Sequence, residues 1–299
     1  MRATLLPSLA LLLNALIFGV SWWPFRTLHE LGLHPLWATA FTFILTTVGL
    51  SVVRPSAWKD LLRNHALWWL LAASGLANVG FNWAVTTGDV VRVVLLFYLM
   101  PAWSLLLAWP LLGEKPRPGA VLRLALALAG VLIVLKTPNS AWPLPASLPD
   151  WLALLGGLCF ALTNVLLRRL EHTPNEARML SMFVGSALMA SAAAWAGQHL
   201  GMVTPMPWPS AHWLALALGW GVALMVGNLA LQYGAARLAA STTSLIMLTE
   251  VVFASTSSVL FGTGTLGLRT MLGGSLILAA ALLAAWPAPK LPHTELLRP

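Results

Sequence analysis

Ten long apolar stretches divide this chain, and only short polar segments separate them. Each runs for about twenty residues, the length an α-helix needs to cross ~30 Å of hydrocarbon at a rise of ~1.5 Å per residue. The pattern predicts helices over 5–25, 34–53, 66–87, 90–112, 118–136, 149–168, 176–197, 211–233, 239–261 and 265–286. Very tight turns join the third to the fourth and the ninth to the tenth, so each pair should be antiparallel neighbours. The expectation is an all-α membrane protein.

The second five stretches echo the first five. Residues 12–28 read LLNALIFGVSWWPFRTL and residues 154–170 read LLGGLCFALTNVLLRRL. Laid together, Leu12, Leu13, Leu16, Phe18, Arg26 and Leu28 meet identical residues, Gly19 meets Ala161, and Ser21 meets Thr163. Further on, Gly80–Asn82 lies near Gly227–Asn228, and Leu112-Gly113 has a partner in Phe261-Gly262. Five is odd, so two five-helix halves, 1–140 and 141–299, would enter the membrane from opposite sides. Ten spans as two inverted repeats is an architecture of alternating-access transporters, with the solute site between the halves.

Composition narrows the picture. Of 299 residues, 59% are hydrophobic and 9% charged, and the mean hydropathy is +0.80. Soluble domains carry about 25% charged residues. The net charge of +8 does not indicate nucleic acid, because the basic residues are scattered through short loops. Sorted by side, Arg2, Arg54, Lys59, Arg63, Lys115, Arg117, Arg123, Arg168, Arg169, Arg178, Arg237, Lys290 and Arg298 fall together, against Arg26, Arg92, Lys136 and Arg269. The positive-inside rule then puts both termini in the cytoplasm. The first span is not a signal peptide, since no small-residue cleavage site closes it. The single cysteine, Cys159, sits in an apolar span as a small core residue.

The fourth span carries Tyr98-Leu99-Met100-Pro101-Ala102-Trp103 and ends in Leu112-Gly113-Glu114-Lys115. Ten helices in a five-plus-five repeat, with a proline inside the fourth helix and a closing Gly-Glu, resemble the EamA-type exporters of the drug/metabolite transporter superfamily. The Tyr-Leu-x-Pro-x-Trp run is similar to that of YddG-type aromatic amino acid exporters. The second half departs from the pattern, with Thr263 where the glutamate would stand. The resemblance implies a bacterial inner-membrane exporter of small organic solutes, amino acids foremost, with no cofactor and no ATP-binding domain. The expected partners are a small-molecule substrate and the lipid bilayer, with a monomer as the working unit and no nucleic acid.

Ionisable groups in lipid are costly, and Glu250 lies near the centre of the ninth span. Helical spacing puts Thr243, Met247, Ala254 and Ser257 on its face. It either lines the cavity, contacting an ammonium or carrying a proton, or is a neutral acid bonded to a neighbouring helix. Arg92 either attracts a carboxylate or snorkels to headgroups, with Asp89 as its local partner. Asn14, Asn78, Asn82, Asn164 and Asn228 orient a zwitterion or join helices. Trp22, Trp83, Tyr98 and Trp103 form a candidate aromatic wall. Pro24, Pro101 and Pro110 remove backbone hydrogen bonds, and Pro101 should kink its helix. Trp58, Trp68, Trp69, Trp142, Trp151, Trp208, Trp213 and Trp286 near span ends read as interfacial belts. Glycines such as Gly75, Gly156, Gly157, Gly185, Gly273 and Gly274 read as close helix contacts. The cavity set is thus Trp22, Asn82, Trp83, Tyr98, Pro101, Trp103, Asn164 and Glu250.

Other chemistry is weakly supported. Gly262–Gly267 matches a dinucleotide fingerprint by letter, but with no preceding strand it reads as a turn. The histidines show no metal-ligand spacing, so no metal is expected. An intramembrane transferase would need clustered carboxylates, and the nine acidic residues are scattered. Within transport, a multidrug or aromatic-cation carrier of the same superfamily is the alternative, and nucleotide sugars are disfavoured because no Lys or Arg lies at a span centre.

Overall fold

The computed structural model describes residues 2–113, 118–136, 145–235, 237–238, 246–247, 249–261 and 267–285, and among these all regular structure is helical. The helices are α1 (Arg2–Gly19), α2 (Trp22–Glu30), α3 (Pro35–Val53), α4 (Ala57–Arg63), α5 (Ala66–Thr87), α6 (Val90–Phe97), α7 (Met100–Leu112) and α8 (Pro118–Leu135). The second half contributes α9 (Leu148–Arg169), α10 (Asn175–His199), α11 (Ala211–Ala235), α12 (Thr249–Leu260) and α13 (Leu268–Ala285).

Among the described residues, five segments are both long and apolar enough to cross a membrane: Leu5–Glu30, Pro35–Val53, Leu148–Arg169, Asn175–His199 and Ala211–Leu231. The third expected span forms α5 with the expected bounds, but Asn78, Asn82 and three tryptophans dilute its hydropathy and it falls outside that set. Residues 239–245 and 248 of the ninth expected span, Glu114–Arg117, and the 262–266 part of the dinucleotide-like run lie outside the described residues.

Two spans are broken, each next to a proline. The first is interrupted at Val20-Ser21, where Trp23 bonds the Val20 carbonyl at 3.1 Å and Pro24 has no N–H to offer. The chain then continues to Glu30, five residues beyond the expected end. The fourth is interrupted at Tyr98-Leu99, ahead of Pro101. Pro110 lies inside α7 without ending it. Gly113 closes α7 in the left-handed region at φ 73°, which favours glycine at that position. The amphipathic helix α4, absent from the expected set, buries Ala57 and Leu61.

The helices pack in matched pairs. α1 lies on α11 as α5 lies on α9; α1 lies on α12 as α7 lies on α9; α3 meets α10, and α8 meets α13. Single residues repeat this pattern. Asn14 on α1 donates its amide to the Gly227 carbonyl on α11 at 2.8 Å. In the repeat alignment Asn14 stands over Gly156, and Gly227 near Gly80. A Cβ built on Gly80 would stand 3.1 Å from the Gly156 Cα. On α8 and α13 the contact is reciprocal: a Cβ on Gly130 would be 2.5 Å from the Gly273 carbonyl oxygen, and one on Gly273 2.6 Å from that of Gly130. Glycine permits such approaches because nothing projects from its backbone. Gly75 packs on Gly185 in the same manner.

Charged residues gather at two ends. At one end Arg26 donates to the Gly88 carbonyl at 2.9 Å and Arg269 to the Lys136 carbonyl at 3.1 Å. Arg92 donates to the Val134 carbonyl at the same end. Each guanidinium thus meets carbonyls at or near the C-terminus of a helix, where partial negative charge collects. At the other end Arg54 faces Glu176 at 3.9 Å, both exposed. Of the tryptophans expected as belts, Trp68, Trp69, Trp151 and Trp208 are exposed. Trp58 is half-buried, with its indole N–H on the Ser51 hydroxyl. Trp213 is a correction: it is buried against Phe41, ring centroids 5.4 Å apart, because α11 turns it onto α3. Trp142 and Trp286 lie outside the described residues.

Candidate solute site at the fourth-span break

The break at Tyr98-Leu99 is bedded on the second half. Pro101 cannot donate to the Phe97 carbonyl four residues before it. Gly157 on α9 lies against that carbonyl, since a Cβ there would be 2.6 Å from the Phe97 oxygen. The turn aims Tyr98 inward, where it is 4% exposed. Its hydroxyl donates to the carboxyl of Glu250, in the first turn of α12. A phenol and a carboxyl from opposite repeats therefore meet among apolar neighbours that include Val251, Ala254 and Leu99.

The first span closes over this pair. Gly19, the last residue of α1, lets the two helices touch, because a Cβ there would be 2.8 Å from the Glu250 carbonyl oxygen. One turn on, Trp22 is 2% exposed and donates its indole N–H to the Ser257 hydroxyl at 2.9 Å. The Trp22 ring meets Phe261 edge-on at 6.1 Å, and the Arg26 guanidinium lies 5.8 Å from its centroid. Ser257, expected on the Glu250 face, does point toward α2, and Ala254 meets α1 with its backbone N–H beside Gly19; Thr243 lies outside the described residues. Trp103 is half-buried against the same apolar cluster, and its indole N–H is buried with no acceptor among the described residues. Pro101 occupies the first turn of α7.

The structure thus brings together Trp22, Tyr98, Trp103 and Glu250 around the break that Pro101 makes. It places the rest of the expected set elsewhere. Asn82 is buried and donates to the Thr39 hydroxyl of α3 at 3.2 Å. Trp83 packs against His34 at 5.3 Å. Both turn toward α3, whereas Phe81, Ala84 and Val85 of the same helix face the Tyr98 cluster. Asn164 is exposed on α9 and makes no hydrogen bond among the described residues. Asn78 joins α5 to α10 through the Ser186 hydroxyl at 3.0 Å, and Asn228 bonds its own helix at the Leu224 carbonyl.

Arg92 neither snorkels nor pairs with Asp89. Asp89 instead caps α6, accepting from the Arg92 backbone N–H at 2.8 Å. The guanidinium makes a two-pronged bond to Asp150, 2.7 and 3.0 Å, and a third to the Val134 carbonyl at 2.6 Å. Asp150 is 3% exposed and also accepts from the Ala146 N–H at 3.0 Å. A buried carboxylate requires such pairing. Its local sequence, Ser147-Leu148-Pro149-Asp150, has the Ser-x-x-acid form of a helix start, and the Ser147 hydroxyl accepts from the Asp150 N–H. That signal was legible in the sequence; the partner on α6 was not.

His34 caps α3 from outside the span, its Nδ1 accepting from the Leu36 N–H at 3.2 Å. Burial, and the neighbouring His29, lower its pKa from the ordinary 6.5 to about 4. Among the described residues no group of three or more His, Cys, Asp or Glu is placed to hold a metal ion.

A two-repeat bundle of apolar helices around a buried acid–phenol pair defines a polytopic helical membrane protein. The chain belongs to the EamA-like transporter family, whose model matches residues 5–136 and again 147–286. It is similar to an uncharacterized transporter of Pseudomonas aeruginosa, 30% identical over 45% of this chain; the match spans 43% of that relative, less than half its length. An uncharacterized transporter of Archaeoglobus fulgidus is 25% identical over 81% of this chain and 85% of its own. A protein crystal structure shares the fold at a TM-score of 0.61, with 18% identity over 95% of this chain and 97% of that one.

Proposed function

We propose that the chain is a secondary exporter of small organic solutes, amino acids and aromatic ones among them, across a bacterial inner membrane. The halves form ten spans in two inverted repeats with both termini cytoplasmic, and rocking or bending of the halves exposes the site to each side in turn. The hydrogen-bonded Tyr98–Glu250 pair carries this reading. It is an ionisable group in a membrane interior, joined across the repeats at a helix break, and such groups mark solute pathways. The carboxyl suits a substrate ammonium, and Trp22, Tyr98 and Trp103 suit an aromatic side chain. The Trp103 N–H, which has no acceptor among the described residues, favours a substrate that brings one, such as a carboxylate, over a simple aromatic cation.

The test is counterflow in proteoliposomes, with labelled phenylalanine, tyrosine and tryptophan set against an aromatic cation. Amino acid exchange that Glu250→Gln abolishes is the expected result. Exchange of the cation alone would replace the substrate class, and unchanged flux and pH response in the variant would remove Glu250 from the mechanism.

A further inference from the structure

Away from the fourth-span break, the end of the bundle that carries Arg54 and Glu176 holds a second feature. A cleft of about 530 Å³ opens there, lined by Asp60, Arg63, Asn64, His65, His172 and Thr173. Both halves build it: the first four residues belong to the end of α4 and the turn into α5, and the last two to the turn between α9 and α10. Asp60 and Arg63 lie one helical turn apart on α4, yet neither joins an ion pair or side-chain hydrogen bond among the described residues. One carboxylate and one guanidinium, both uncommitted, face a single opening.

The surroundings place that opening at a bilayer surface. Leu62 beside it is 64% exposed, and Trp68 and Trp69, one turn into α5, are 53% and 71% exposed. Exposed indoles at a helix end, next to a short amphipathic helix, are what a headgroup region stabilises. The Trp68 N–H is held by the Leu61 carbonyl at 3.1 Å, which fixes this aromatic rim to α4. A guanidinium in a cleft between helices on this kind of surface suits a lipid phosphate. The carboxylate of Asp60 selects further. It would repel a purely anionic headgroup and attract an ammonium, so the lining matches a zwitterion with a phosphate at one end and a primary amine at the other.

We infer that the cleft between the α4–α5 and α9–α10 turns seats the phosphoethanolamine headgroup of a bilayer phospholipid. Arg63, with the His65 imidazole lining the same cleft, takes the phosphate, while the His172 imidazole on the rim faces the Glu171 carboxylate at 3.6 Å. Asp60 takes the ammonium, and Leu62, Trp68 and Trp69 flank the acyl chains. This site is independent of the solute site and of the substrate assigned to it.

The full chain in detergent, titrated with short-chain phosphatidylethanolamine, phosphatidylcholine and phosphatidylglycerol and read by native mass spectrometry, tests this. Phosphatidylethanolamine should bind about tenfold more tightly than phosphatidylcholine, whose methylated ammonium has no N–H to donate to Asp60. Asp60→Asn should bring the two to parity, and Arg63→Gln should weaken both by about tenfold. Arg63 is exposed and Asp60 half-buried, and circular dichroism of each variant without lipid checks that the fold is kept. Equal binding of the two lipids by the unaltered chain, tighter binding of phosphatidylglycerol, or affinities unmoved by either substitution would overturn the assignment. So would free phosphoethanolamine binding as tightly as the lipid, since the ligand would then be a soluble metabolite.

Discussion

The Tyr98 hydroxyl is hydrogen-bonded to the Glu250 carboxyl, which ties the helix break of one repeat to the first turn of α12 in the other. If this pair handles substrate, Tyr98→Phe should lower exchange by about tenfold, since a hydrogen bond to a charged group contributes about 1.5–3 kcal/mol. Glu250→Gln should remove exchange altogether. Rates measured in proteoliposomes with matched protein content check both, and a Tyr98→Phe rate equal to the unaltered protein would exclude the phenol.

Trp103 offers a buried N–H without an acceptor among the described residues. Trp103→Phe keeps a ring and removes that donor. The apparent KM for an aromatic amino acid should rise about tenfold, while that for the corresponding decarboxylated amine stays level. An equal rise for both compounds would mean that the indole serves packing and not carboxylate recognition.

The Arg92–Asp150 pair joins α6 to α9, with Asp150 3% and Arg92 22% exposed. Asp150→Asn leaves a guanidinium partly buried without its counter-charge, and should destabilise the protein by about 3–5 kcal/mol. Arg92→Gln should cost a similar amount, and the double variant less than the sum. Thermal unfolding in detergent reads the three values, and strict additivity would show that the pair contributes nothing as a pair.

His34 should make the fold acid-sensitive. Above pH ~6.5 the imidazole is neutral in both folded and unfolded chains. Between that value and about 4 the unfolded chain binds a proton that the folded one refuses, so stability falls as pH falls, and the loss levels off below about 4. The total is at most about 3 kcal/mol. His34→Asn retains a helix-capping acceptor and should flatten the slope of melting temperature against pH over this window. An unchanged slope would assign the acid sensitivity to another group.

Much of the fold was written in hydropathy. Helix α5 has the bounds that its apolar run predicts, and Pro24 and Pro101 stand where two spans break, because proline removes an N–H wherever it occurs. The site was legible where one residue type carries the chemistry, as with Glu250 and the Tyr98–Trp103 run. Facing was not. Asn82 and Trp83 are one step from Phe81 and Ala84, yet a rotation of about 100° per residue turns them onto α3. Long-range partners were equally hidden. Nothing local to Arg92 points to Asp150, fifty-eight residues on, because the pairing is set by how α6 and α9 cross.

The seam between α8 and α13 sets glycine against glycine, Gly130 on Gly273, so the two backbones touch with no side chain between them. Repeat symmetry does not supply this match, since the bounds of the two helices set Gly130 over Ala280 and Gly273 over Arg123. Backbone against backbone leaves nothing to compress. The closing helix of one half should therefore travel with that of the other as a single rigid body, whichever half tilts.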